Sequence, residues 1–221
     1  MAKSLSNKIC LVLISLTVFS IAGCEKAYYS TMESFGKHKR DILVDRVENA
    51  RDAQQDAKQQ FQSALEKFSS VVKVPTSQLQ EKYDQLKTEL DKSEAKAKNV
   101  STRIKDIESV SDALFDEWQS ELDQYTNKDL RRTSEQKLKQ TKERYAQLIA
   151  AMKKAETKIV PVLSAFRDQV LFLKHNLNAQ AVASLQGELV TIESDVASLI
   201  KQMDASIAEA DSFIKSMSAD Q

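Results

Sequence analysis

Apolar residues recur along this chain in alternating steps of four and three. In the first stretch they fall at Leu43, Val47, Ala50, Ala57, Phe61, Ala64, Phe68 and Val71, with Gln54 in one slot. The second series runs Leu79, Tyr83, Leu86, Leu90, Ala97, Val100, Ile104, Ile107, Leu114 and Trp118, with Ser93 and Ser111 filling two slots. A third continues through Leu138, Thr141, Tyr145, Leu148, Met152, Ala155, Ile159, Val162 and Phe166. The fourth is Val182, Leu185, Leu189, Ile192, Val196, Leu199, Met203, Ser206, Ala210, Phe213 and Met217. Such steps put every seam residue on one face of a helix, and their persistence over several heptads predicts coiled-coil-like packing.

The breaks between the series are short. "KVPTSQLQ" (73–80) carries Pro75 and a capping-box pattern of Ser77 and Gln80. "QYTNKDL" (124–130) offers Thr126 as a cap with Asp129 beyond it. "HNLNAQA" (175–181) offers Asn176 to end one helix and Asn178 to begin the next. Connections of about two to five residues make consecutive helices antiparallel. The predicted fold is all-α: an elongated antiparallel four-helix bundle with coiled-coil-like packing. Helices of about 40–45 residues would make a rod of roughly 60–70 Å. Pro161 lies inside the third series and predicts a kink near Thr157–Pro161.

A different pattern precedes the seams. Lys3 and Lys8 stand before the apolar run Ile9–Ile21, which is followed by "IAGC" (21–24). The run fits the apolar core of a secretory signal and is short for a bilayer span of roughly 20 residues. "IAGC" resembles the bacterial lipobox, with Ile21 where leucine is usual. The resemblance implies cleavage after Gly23, lipidation of Cys24 and anchoring by acyl chains. A plain secreted protein and an uncleaved N-terminal anchor are the alternatives. The chain then divides into a lipoprotein signal peptide (1–23), a lipid-anchored N-terminal segment (24–37) and one helical-bundle domain (38–221). Glu25 differs from the Asp that favours inner-membrane retention in the sorting rule this resembles. The outer membrane, periplasmic face, is therefore the expected location, with the inner membrane as the alternative.

Composition narrows the function. Of 32 basic and 32 acidic residues, Lys3 and Lys8 would leave with the signal, for a mature net charge of −2. That balance gives no global field for nucleic acid. Cys10 would leave too, and Cys24 would carry lipid, so no disulfide is expected. Three glycines and two prolines in 221 residues argue against a turn-rich β fold. No Gly-rich phosphate loop, Gly-x-Ser-x-Gly elbow or metal-ligand spacing occurs. The expectation is a non-enzymatic protein with no cofactor and no metal.

Two places stand out. Between 158 and 185 charge is sparse and the apolar stripe widens to Val160, Leu163, Val170, Leu171, Phe172, Leu173 and Leu177. Leu171 and Phe172 lie about 100° and 200° around the helix from Leu173, so all three cannot face one narrow seam. Either the bundle is thick here or something outside the chain covers Leu171 and Phe172, the candidate partner surface. In "GKHKRD" (36–41), Lys37, Lys39 and Arg40 are candidate contacts for anionic headgroups, a patch that Asp41 and Asp45 weaken; the alternative is a solvated basic turn. His175 near a helix end reads as a group helping to satisfy terminal carbonyls.

"HKRDILVDRVENARDAQQDAKQQF" (38–61) and "VPVLSAFRDQVLFLKHNLNAQAVASL" (160–185) resemble a family of uncharacterised Gram-negative bacterial lipoproteins, a domain of unknown function. The resemblance covers the whole mature chain. It implies an envelope location and a helical fold, and carries no catalytic residue or ligand with it. The expected role is a helical spacer, adaptor or scaffold held to the membrane by its N-terminal lipid and facing an unknown envelope protein. The alternative is a carrier holding a lipid or other apolar ligand in the bundle, where Gln54, Ser93, Ala97 and Ser111 would leave space.

Overall fold

The computed structural model describes Tyr29, Met32, residues 36–71 and residues 78–219. Four long helices occupy nearly all of this: α1 (Lys39–Val71), α2 (Leu79–Glu121), α3 (Lys128–His175) and α4 (Ala179–Ala219). A 3-10 turn, Leu122–Gln124, follows α2, and no strand occurs among the described residues. α1 packs on α2 and α4, and α3 packs on α2 and α4. Sequence neighbours are thus spatial neighbours and the first helix closes the ring on the last, an up-down-up-down four-helix bundle. α3, with 48 residues, is about 72 Å long. α1 has 33 residues and is shorter than the pattern predicts.

The seams form the core. Every seam position of α1 and α3 is buried apart from Tyr145, which is half-buried. In α2 the half-buried ones are Tyr83, Ala97 and Trp118, and in α4 Val182 and Leu189. Ile42, Ala53, Val110, Phe115, Val170 and Leu173 widen the buried stripe. Phe68 of α1 meets Phe166 of α3 across the bundle, ring centroids 5.9 Å apart. Phe115 of α2 meets Tyr145 of α3 edge-on at 5.4 Å. Each large apolar side chain buried this way contributes about 1.5–3 kcal/mol before entropy is counted.

Ion pairs across the surface follow the register that the buried seams set. Lys96 pairs with Asp56 at 2.6 Å between α2 and α1. Arg51–Asp211 (3.1 Å) and Lys58–Asp204 (2.6 Å) tie α1 to α4. Lys153 pairs with Glu108 between α3 and α2.

The helix ends differ in part from the expectation. Asn127, rather than Thr126, caps α3: its side-chain oxygen accepts from the amides of Asp129 (2.9 Å) and Leu130 (3.2 Å). α2 begins at Leu79 with Gln78 at the N-cap and no side-chain cap bond from it; Ser77, the expected start of a capping box, lies outside the described residues. Asn176 does end α3, its amide donating to the Leu173 carbonyl at 3.1 Å. Asn178 directly precedes α4, and its carbonyl accepts from the Val182 amide at 3.4 Å. α3 runs as one helix through Pro161. Pro161 is exposed, so the Thr157 carbonyl that its ring deprives of a donor is on the side where water can supply one.

Before α1 the chain folds back. Tyr29 is buried and its hydroxyl shares a hydrogen bond with Ser109 of α2 at 2.9 Å. The Lys37 amide donates to the Met32 carbonyl at 3.1 Å. Gly36, at φ +80°, makes the reversal in a conformation that a Cβ would strain. Packing against the bundle therefore starts before residue 38.

Candidate functional site

The last third of α3 is where helix geometry and composition part company. Its inner face is Ile159, Val162, Phe166, Val170 and Leu173, all buried. Its flank toward α2 is pinned by Arg167, whose Nε and Nη2 donate to Glu94 Oε1 at 3.1 and 2.5 Å. Leu163 and Ala165 are half-buried against the core. Beyond them, Val160 is 64% exposed, Leu171 57%, Phe172 38% and Leu177, just past the helix, 37%. Val160 and Leu171 are three turns apart on one side, and Phe172 lies about 100° further round. The Phe172 carbonyl accepts from the Asn176 side chain at 2.9 Å, which closes the helix end under this surface.

Of the two ways to cover Leu171 and Phe172, the bundle itself does not supply one. Neighbouring helices bury one face of α3, and these residues point away from it. Lys174 and His175 end the helix, placing basic groups at the negative end of its dipole. His175 is exposed.

The three basic candidates near residue 38 have partners within the fold. Lys37 pairs with Asp45. Lys39 pairs with Glu117 of α2 at 2.9 Å, its side chain only 11% exposed. Arg40 donates to the carbonyl of Met217 at the end of α4. Lys39 and Arg40 join the start of α1 to the ends of α2 and α4. Gly23 and Cys24 lie outside the described residues.

A second surface feature has no counterpart in the seam pattern. Residues 123–133 are all exposed, so the α2–α3 hairpin projects from the core. At its base lies an open groove of about 500 Å³ lined by Gln119, Arg132, Glu135, Leu138, Lys139 and Lys142, among others. Lys142 Nζ stands 5.6 Å from the centre of the Phe115 ring, and Trp118 Nε1 donates to Ser134 at 2.8 Å. The basic run at the start of α3 was the one signal in the sequence that could have pointed here.

Titration offers little chemistry. Burial pushes the Tyr145 hydroxyl above its ordinary value, with Asp112 and Glu108 adding to the shift and the hydrogen bond with Ser111 opposing it. Burial also acts upward on Glu89, but hydrogen bonds from Lys92 and Gln60 outweigh it and hold the carboxyl below its usual range. Among the described residues no group of three or more His, Cys, Asp or Glu side chains could hold a metal ion. No described helix is long and apolar enough to cross a membrane.

The described residues form an all-α four-helix bundle, with Leu171 and Phe172 among its exposed large apolar side chains. The family model described as "Protein of unknown function (DUF2959)" matches residues 28–217, and the chain belongs to that family. No curated protein and no solved structure matches it.

Proposed function

We propose that this chain is a non-enzymatic, lipid-anchored helical protein of a Gram-negative envelope, attached through Cys24 to the outer membrane and facing the periplasm. In this reading it acts as a spacer or adaptor, and the outer surface of α3 around Leu171 and Phe172 receives an envelope protein. The observation that carries the reading is the exposure of these two residues on a helix whose inner face is already filled. An exposed apolar cluster next to a firmly packed helix end favours protein contact over random surface composition. The anchor rests on the resemblance of "IAGC" to a lipobox and on the short apolar run before it.

Two experiments test the two halves separately. Mass spectrometry of the mature N-terminus should find a lipid-modified Cys24; a free N-terminus elsewhere removes the anchor. Crosslinking in intact membranes should recover a discrete partner with wild-type protein and lose it with Leu171→Ser/Phe172→Ser at unchanged melting temperature. Equal recovery from the variant removes the docking surface.

A further inference from the structure

We infer that the bundle holds an internal water site between α1 and α4, built by Gln54 and Ser206. Five polar residues are buried in the core: Gln54, Ser93, Ser111, Thr141 and Ser206. Three of them return a hydrogen bond to their own helix. Ser93 donates to the Glu89 carbonyl at 2.7 Å, Ser111 to that of Glu108 at 2.9 Å and Thr141 to that of Lys137 at 2.9 Å. This is the usual local solution for a hydroxyl inside a helix. The other two do not use it. Nε2 and Oε1 of Gln54 and Oγ of Ser206 are fully buried and have no hydrogen-bond partner in the protein.

These two residues share one layer of the bundle. The ion pairs Arg51–Asp211 and Lys58–Asp204 mark the register of α1 against α4. Gln54 lies between Arg51 and Lys58, and Ser206 lies between Asp204 and Asp211. The seam residues one step away include Ala50, Ala57 and Ala210, all buried and all small. An amide donor, an amide acceptor and a hydroxyl thus fall in one layer, flanked by three alanines and Met203. Buried water typically makes about three hydrogen bonds to groups of this kind. Water fits the set better than an apolar ligand, which would leave all three atoms unpaired. The site also selects the pairing of α1 with α4. A slide of one heptad would set Gln54 against Leu199 or Phe213, neither of which carries a polar group.

Nuclear magnetic resonance on the full chain reads the site directly, through water cross-peaks to the Gln54 side-chain amide. The expected result is a persistent cross-peak that Ser206→Ala weakens or removes. Stability gives an independent reading. Ser206→Ala should lower Tm by about 2–4 °C, the shift of a lost hydrogen bond in a chain of this size. Gln54→Leu/Ser206→Ala should melt at or above wild type, because both partners are then apolar. Absence of the cross-peak, a direct Gln54–Ser206 hydrogen bond in a crystal structure, or additive effects of the two substitutions would overturn the inference.

Discussion

α1 and the last third of α3 follow the same four-and-three rhythm and end differently. In α1 the large apolar seam side chains, from Leu43 through Phe61 and Phe68 to Val71, are inside. Nearly all the rest of its surface is charged or amide-bearing, with half-buried Val44 and Leu65 the apolar exceptions. In α3 the inner face beyond Ile159 is as well buried, yet Val160, Leu171 and Phe172 remain outside. The difference teaches that a seam accounts for only as many apolar residues as the neighbouring helices can cover. In α1 nothing large is left over. In α3 the surplus lies on the far side of a helix whose packing is complete without it, which is why it reads as a contact surface and not as core.

The strongest test of this contrast is truncation on the inner faces. Phe68→Ala in α1 and Phe166→Ala in α3 remove the two sides of one aromatic contact, and each should cost about 3–5 kcal/mol in denaturant unfolding. A loss below 1 kcal/mol at Phe166 would mean that this part of α3 is not packed as described. Next comes Pro161→Ala. A proline in a helix interior is about 3 kcal/mol less favourable than alanine, so the substitution should stabilise the chain by up to that amount. Destabilisation would show that the proline shapes the outer face beside Val160. Leu171→Ser should change stability by no more than about 0.5 kcal/mol, as exposed positions do. A cost of several kcal/mol would place Leu171 in a core and dissolve the contrast with α1.

The smallest effect belongs to the α1–α2 side. Gln60 Nε2 donates to Glu89 Oε2 at 2.7 Å, and Lys92 bonds the same carboxylate at 2.9 Å. Glu89 is held below its ordinary value of 4.5. Its folded pKa is depressed, so its contribution is complete above the ordinary glutamate range. It is lost as pH falls through the lower folded value. Glu89→Gln should therefore lower stability at neutral pH by about 0–1 kcal/mol and leave acid pH nearly unchanged, which flattens the acid limb of the profile. A larger loss in acid than at neutral pH would contradict this.

Much of the fold was legible because one periodicity decides which face of a helix is buried. The four seams, the antiparallel order and the helical end at Asn176 all follow from that and from short connections. The caps were harder. "TNKD" (126–129) offers three residues able to cap, and only backbone conformation selects Asn127. Tyr29 was not legible as core, since it belongs to no four-and-three series that could reveal its partner Ser109. Nor could rhythm separate Ser93 from Ser206. Both fill apolar slots, and only coordinates show that one bonds its own helix while the other does not. At the candidate site the sequence posed the choice for Leu171 and Phe172 correctly. Deciding it required knowing that α2 and α4 cover a single face of α3.

The most direct measurement places a photo-crosslinking residue at position 171 or at position 49 in the full chain, in its native envelope. Asn49 of α1 is exposed in the same way but lies on a polar surface. A docking surface on α3 gives a discrete crosslinked species from position 171 and none from position 49. Equal or absent crosslinking at both positions would contradict the assignment of that surface.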